Sequence, residues 1–247
     1  MSIAEKLQTI AENELRVYEA GFAKGQSSGG GGGYDEGYEA ALKAEYDRFW
    51  DGWLENGNRL NFKMAFSGDY WTDETFSPRY DIVPRIAERI FEGTKIVDLI
   101  GCLERCAVIM DFSQCQTFNY MLTNGATIKH FPPIDLSASA GFQDGFRYAS
   151  SLESASLVNV AEKHTWSNAF ANCSSLVDLS ISGTIGKTIS FAQSKLLSEA
   201  SVQNIIDVLA DLTGQTAQTI TFHKDVGAKL TDAQKNTISD KNWTLAY

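Results

Sequence analysis

One short pattern returns along the chain with changes, and it limits the fold more than any other feature of the sequence. It is clearest from Phe170 to Ser180, FANCSSLVDLS. A second copy, LERCAVIMDFS, runs from Leu103 to Ser113 and repeats a bulky residue, a cysteine, an aliphatic, an Asp, another bulky residue and a Ser at the same offsets. A third, FRYASSL, runs from Phe146 to Leu152, exchanges the cysteine for Ala149 and stands 24 residues before the clearest one. Partial copies lie at Phe91 to Leu99, at Met121 to Phe131 and at Ile134 to Ser137. One copy of this length cannot bury its own apolar face, whereas stacked copies cover one another and build a continuous core. The expected core is therefore Phe91, Leu103, Phe146, Leu152, Phe170, Leu176 and Leu179. The Asp and Ser residues between the inward positions read as a solvated face or as turn residues.

The F-x-x-C-x-x-L-x-x-L segment from Phe170 to Leu179, preceded by Ala169, resembles the BspA-like class of leucine-rich repeats over about residues 91–192. That resemblance implies a β-solenoid-like stack used in adhesion or protein interaction, without enzymatic activity. A second resemblance covers most of the chain. The order of MSIAEKLQTIAENELRVYEAGFAKG, EYDRFWDGWLENGNR, GDYWTDETFSPRYDI, the repeats and LTDAQKNTISDKNWTLAY is similar to uncharacterised proteins of phages and prophages of gut Firmicutes. It implies a virion structural protein of a tail or fibre region, with a bacterial cell-surface adhesin as the alternative.

Around the repeats the chain divides into further segments. Residues 1–24 carry Ile3, Leu7, Ile10 and Val17 in a narrow helical stripe that suits a coiled-coil seam, so this is the expected assembly helix and oligomerisation surface. Residues 25–33 hold a run of five glycines and read as a flexible linker. Residues 34–90 read as a helical and irregular capping region. Its helix from Tyr34 to Leu54 bears an aromatic face with Trp50 and Trp53, which suits a core better than a sugar-stacking platform. The repeats occupy 91–192. Residues 193–247 read as an end cap: helix from Ser198 to Leu212, strand from Gln218 to Phe222, helix from Thr231 to Asp240 and strand from Trp243 to Tyr247. The expected fold class is α+β, with N-terminal helices, a glycine linker, a short leucine-rich-repeat β-solenoid and an α/β C-terminal cap.

The formal charge of −10 opposes phosphate backbones and anionic lipid, so nucleic acid is not expected as a partner. No stretch approaches the roughly 20 apolar residues that span a bilayer, and none joins a basic segment to an apolar run of signal-peptide length. The expectation is assembly in a host cytoplasm into a virion, with no membrane insertion. Its expected partners are other virion proteins, met through the N-terminal helix, further copies of itself, and a host-surface protein or glycan. Cys102, Cys106, Cys115 and Cys173 lack the paired spacing of structural zinc ligands, and His130, His164 and His223 stand alone. They read as free thiols, with no metal and no cofactor. The best catalytic groupings the sequence offers are His164 with Asp178, and His130 with Asp135 and Cys115. Neither sits in a recognised motif, so no enzyme is expected.

Overall fold

In SASLVNV and DLSISG, small polar residues alternate with aliphatic ones, the period-2 pattern that buries one face of a strand and leaves the other in water. These segments are β2 (Ser154–Val160) and β3 (Asp178–Gly183) of a computed structural model that describes Phe66, Gly68 and residues 71–78, 82–123 and 126–247. The other elements are α1 (Leu99–Cys106), β1 (Ile134–Asp135), β4 (Ile189–Phe191), α2 (Glu199–Asp207), β5 (Gln218–Phe222), α3 (Lys224–Gly227), α4 (Asp232–Asp240) and β6 (Trp243–Ala246). The expected assembly helix with Ile3, Leu7, Ile10 and Val17, the glycine linker and the aromatic helix from Tyr34 to Leu54 lie outside the described residues.

The continuous solenoid sheet expected from the repeats does not form. Instead the described residues make an α+β fold with two separate three-stranded parallel sheets, in the orders β1-β2-β3 and β4-β5-β6. Elsewhere the contact between copies shrinks to isolated parallel bridges such as Thr72 to Lys95, Ile82 to Met110 and Ile185 to Leu209. Two local causes are visible. The copies differ in length, since α1 is inserted after Asp98, capped by the Asp98 carboxylate and closed by left-handed Ala107. Then, beyond β3, the chain passes through the short β4, which joins the other sheet, into α2, and α2 takes over the edge of β3 with its side chains. Ser201 Oγ accepts from the Leu179 N–H at 2.9 Å and donates to the Val177 carbonyl at 3.1 Å. The Asn204 amide accepts from the Ile181 N–H at 2.8 Å and donates to its carbonyl at 3.1 Å. With the Val177 carbonyl, the Leu179 N–H and both backbone groups of Ile181 engaged by α2, a fourth strand could pair there only by displacing the helix.

Beneath the sheets lies a file of phenylalanines, one after another at ring-centroid distances of 5.5 Å (Phe66 to Phe91), 5.8 Å (Phe91 to Phe131), 5.8 Å (Phe131 to Phe146), 6.1 Å (Phe146 to Phe170), 4.7 Å (Phe170 to Phe191) and 6.0 Å (Phe191 to Phe222). Phe91, Phe146, Leu152, Phe170, Leu176 and Leu179 are all buried, and so is Leu103, although Leu103 sits on α1 rather than in a stacked turn. In the copy from Leu103 to Ser113 the aliphatic moves by one place. Ile109 is 60% exposed, whereas Met110 is buried and bridges to Ile82, because the left-handed turn at Ala107 shifts the phase of the residues after it.

The end of the chain departs less from its pattern. Ser198 caps α2, and Thr231 with Gln234 forms a reciprocal capping box on α4. Helix α2 stops at Asp207 rather than near Leu212, because Ala210 donates its N–H to the Ile185 carbonyl and Leu209 bridges to Ile185. Between β2 and β3 the register shifts after Leu157, beside left-handed Asn159. Gly183 closes the shift at a φ of +114°, where a Cβ would run into the Val160 carbonyl.

Phe170 touches Phe142, Phe146 and Phe191 and is 1% exposed, so it joins several stacked copies at once. Phe170→Ala is expected to cost about 3–5 kcal/mol, as large core truncations do. Urea unfolding of the full chain followed by circular dichroism reads this directly, and a cost within a few tenths of zero would contradict the file as the core.

Candidate functional site

The alternation that buries Ala155, Leu157, Leu179 and Ile181 turns Ser154, Ser156, Asp178 and Ser180 to the other face. Strand register sets Ser154 beside Asp178 and Ser156 beside Ser180, a polar patch of two rungs. This patch is the floor of a groove of about 480 Å³, bounded by Phe131 and Pro133 on one side and by Ala200, Ser201 and Asn204 of α2 on the other. The volume falls within the range of roughly 300–1,000 Å³ typical of small-ligand sites.

Hydrogen bonds separate the groups that hold the groove from those free to meet a ligand. Ser201 and Asn204 are engaged with the β3 edge. One Asp178 oxygen accepts from Ser198 Oγ at 3.1 Å, and Ser154 Oγ lies 2.8 Å from His130 Nδ1. Ser156 and Ser180 make no side-chain hydrogen bond among the described residues. Asp178 is, among the described residues, the one charged group lining the groove. Just outside, Lys129 and Glu153 pair at 2.8 Å, so neither acts as an isolated charge. That Lys129 contact holds the exposed Glu153 carboxyl below its ordinary value.

The His130 and Ser154 pair has the reach of a nucleophile with a base, but its surroundings do not suit acyl transfer. The backbone N–H groups of Glu153 and Ser154 both donate to the Lys129 carbonyl, at 2.7 and 3.0 Å, so neither faces a developing oxyanion. The catalytic groupings read from the sequence come apart. His164 Nδ1 accepts from the Ala161 N–H at 3.1 Å, while Asp178 turns to Ser198. Asp135 accepts from the Ser137 N–H and the Asn159 amide, His130 shares a hydrogen bond with Ser154, and Cys115 donates to the Thr117 carbonyl. Burial alone would raise the Asp135 carboxyl, yet the Ser137 and Asn159 hydrogen bonds hold it below its ordinary value. Asp135 is thus a rung of the stack: the Asn159 amide reaches it from 24 residues further on.

The thiols also go separate ways. Cys173 donates to the Phe146 carbonyl at 3.1 Å, Cys102 lies 3.5 Å from the Asp73 carbonyl, and half-buried Cys106 lies 3.4 Å from Ser77 Oγ. Among the described residues no three His, Cys, Asp or Glu side chains gather as metal ligands, and no helix is long and apolar enough to cross a membrane. The groove residues Ser154, Ser156 and Ser180 escaped the sequence reading as a site. Their signal was the period-2 alternation, which marks an outward face without telling which outward faces become concave.

Away from the groove, Arg89 lies 5.1 Å from the Tyr120 ring centre, and Arg147 lies 5.7 Å from Tyr120 and 5.0 Å from Tyr148. Arg89 pairs with Glu92, and Arg147 with Asp144. Both tyrosines have left-handed backbones, at φ of 57° and 63°. Asn172 takes that conformation at 63° in the copy after Tyr148, so the turn itself demands no aromatic residue.

Burial pushes the Cys115 and Cys173 thiols up to about 12. Denatured, non-reduced protein is expected to titrate four thiols. The native chain at pH 8 should protect Cys115 and Cys173 from iodoacetamide, as mass spectrometry of the labelled peptides would show. Fewer than four groups in the denatured titration would mean a bond or a ligand on sulfur. His164 is 1% exposed, and burial, helped by the Lys163 charge, depresses its pKa below the ordinary 6.5. The unfolded chain therefore takes up this proton first. Its contribution to stability is complete above about pH 6.5 and is lost as the pH falls below that value. His164→Asn, which keeps an acceptor for the Ala161 N–H, is expected to flatten that part of a pH series of urea midpoints. An unchanged slope would assign the acid sensitivity to other groups. No family model matches the chain, and neither a curated protein nor a solved structure matches it.

Proposed function

We propose that this chain is a non-enzymatic structural protein of a phage virion, associated with a tail or fibre, whose repeat-built body presents a groove with a serine and aspartate floor to the host surface. The observation that carries the reading is the groove floor of Ser154, Ser156, Asp178 and Ser180 on the paired strands β2 and β3. Its side chains offer hydroxyl and carboxylate hydrogen bonds without the arrangement of a reaction centre. The order of segments along the chain, similar to proteins of phages and prophages, supports the setting. The absence of strongly basic character suits a particle surface rather than genome contact.

Peptides of this chain are expected in gradient-purified, nuclease-treated particles by mass spectrometry. Purified chain added in excess is expected to slow adsorption of those particles to host cells. Its absence from particles, or its recovery from the envelope of uninfected cells, would overturn the reading in favour of a cell-surface adhesin.

A further inference from the structure

Resting on the reading of a host-surface binding protein, we infer that the groove between Pro133 and α2 is a subsite for an uncharged or amine-bearing oligosaccharide, and that Asp178 selects against anionic sugars. Three features of the groove carry this. First, the groups with unused hydrogen-bonding capacity are hydroxyls and a carboxylate. Ser156 and Ser180 have no side-chain partner among the described residues, and Asp178 keeps one oxygen beyond its Ser198 contact. Hydroxyls both donate and accept, and a carboxylate accepts from adjacent hydroxyls, which matches the dense hydroxyl display of a pyranose ring.

Second, the charge in the groove has one sign. Asp178 is its one charged lining residue among those described, and Lys129, whose backbone carbonyl accepts from the Ser154 N–H, has its ammonium paired with Glu153. A uronate or phosphorylated sugar would bring a second negative charge into an open groove whose lining holds no cation to meet it, whereas an amine would be favoured. Third, the groove is poorly suited to an extended peptide. Strand addition requires free backbone groups at a sheet edge, but Ser201 and Asn204 already engage the Val177 carbonyl, the Leu179 N–H and both backbone groups of Ile181, and α2 lies across that edge. The apolar lining, Phe131 with Pro133 and Ala200, forms shallow walls rather than a pocket for a side-chain anchor.

The test uses the ¹⁵N-labelled full chain titrated with chitotriose and cellotriose as neutral probes, the glucosamine trimer as the amine-bearing probe and trigalacturonate as the anionic one. Chemical shifts give the site and the apparent Kd. Neutral or amine-bearing trimers are expected to move the amides of residues 154–156 and 178–180. Asp178→Asn keeps an acceptor for Ser198 and is expected to weaken binding about tenfold or more, the usual loss for a charge-assisted hydrogen bond. Ser180→Arg places a cation on the exposed floor, and is expected to reduce neutral binding and confer binding of trigalacturonate. A merely unfolded variant would not gain a ligand. If no trimer binds although the chain is found in particles, this inference is overturned and the virion reading stands. If trigalacturonate binds the unaltered chain best and Arg147→Ala removes that binding, the sugar site is at the Arg147 and Tyr148 turn and the inference is overturned. If the chain is absent from particles, the virion reading fails, and binding of neutral trimers at the groove would still uphold the subsite.

Discussion

The file of phenylalanine rings from Phe66 to Phe222 is the constraint on which the rest of the fold depends. Each ring lies within 6.1 Å of the next along this file, and each belongs to a different turn of the chain. Burying a phenylalanine contributes about 1.5–3 kcal/mol, and neighbouring rings in tilted or edge contact add a fraction of that. No turn captures this alone, because much of every ring would face water without the turn above it. The sheets are short for the same reason. Strands of two to seven residues suffice where the side chains below them, rather than a long hydrogen-bonded ladder, hold successive turns in place.

Polar ladders on the outside complement this apolar file. Asn159 reaches back to Asp135, Ser137 to the Ser113 carbonyl, and Ser154 pairs with His130, each pair 24 residues apart. Such contacts contribute modestly to stability, because water competes for every group. Their effect is to fix register, since a slip of one residue would exchange the buried and solvated faces of β2 and β3. Helix α2 then completes the first sheet. By engaging the β3 edge with Ser201 and Asn204 it prevents strand addition, and in the same act it raises one wall of the groove. Edge protection and site formation are two consequences of one packing arrangement.

Much of this was legible in the chain itself. The repeat identified Phe146, Leu152, Phe170, Leu176 and Leu179 as inward positions, and all are buried. Helix starts at Ser198 and Thr231 were readable because capping is a local matter of one side chain and the N–H groups just beyond it. The phase of the copy that begins in α1 was not legible. Ile109 and Met110 are both apolar, and the choice between them depends on a left-handed turn at Ala107 that composition does not announce. Nor was the break into two sheets, which is decided by the helix that packs on the β3 edge and not by anything in β3.

Outside the copy that begins in α1, the sequence by itself determined which of the repeat residues leave water, because the spacing of apolar side chains in a repeat is a one-dimensional property that any stacked arrangement must respect. It also determined that the Ser and Asp residues between them face outward. Only the tertiary structure decided that Ser154, Ser156, Asp178 and Ser180 share one concave floor, while the Asp135 carboxylate became a rung of the stack. The physical reason is that a groove requires walls, and here they come from segments remote in sequence: Pro133 before the floor, and Ala200 and Asn204 beyond it, brought together by pairing and edge capping that no local pattern encodes.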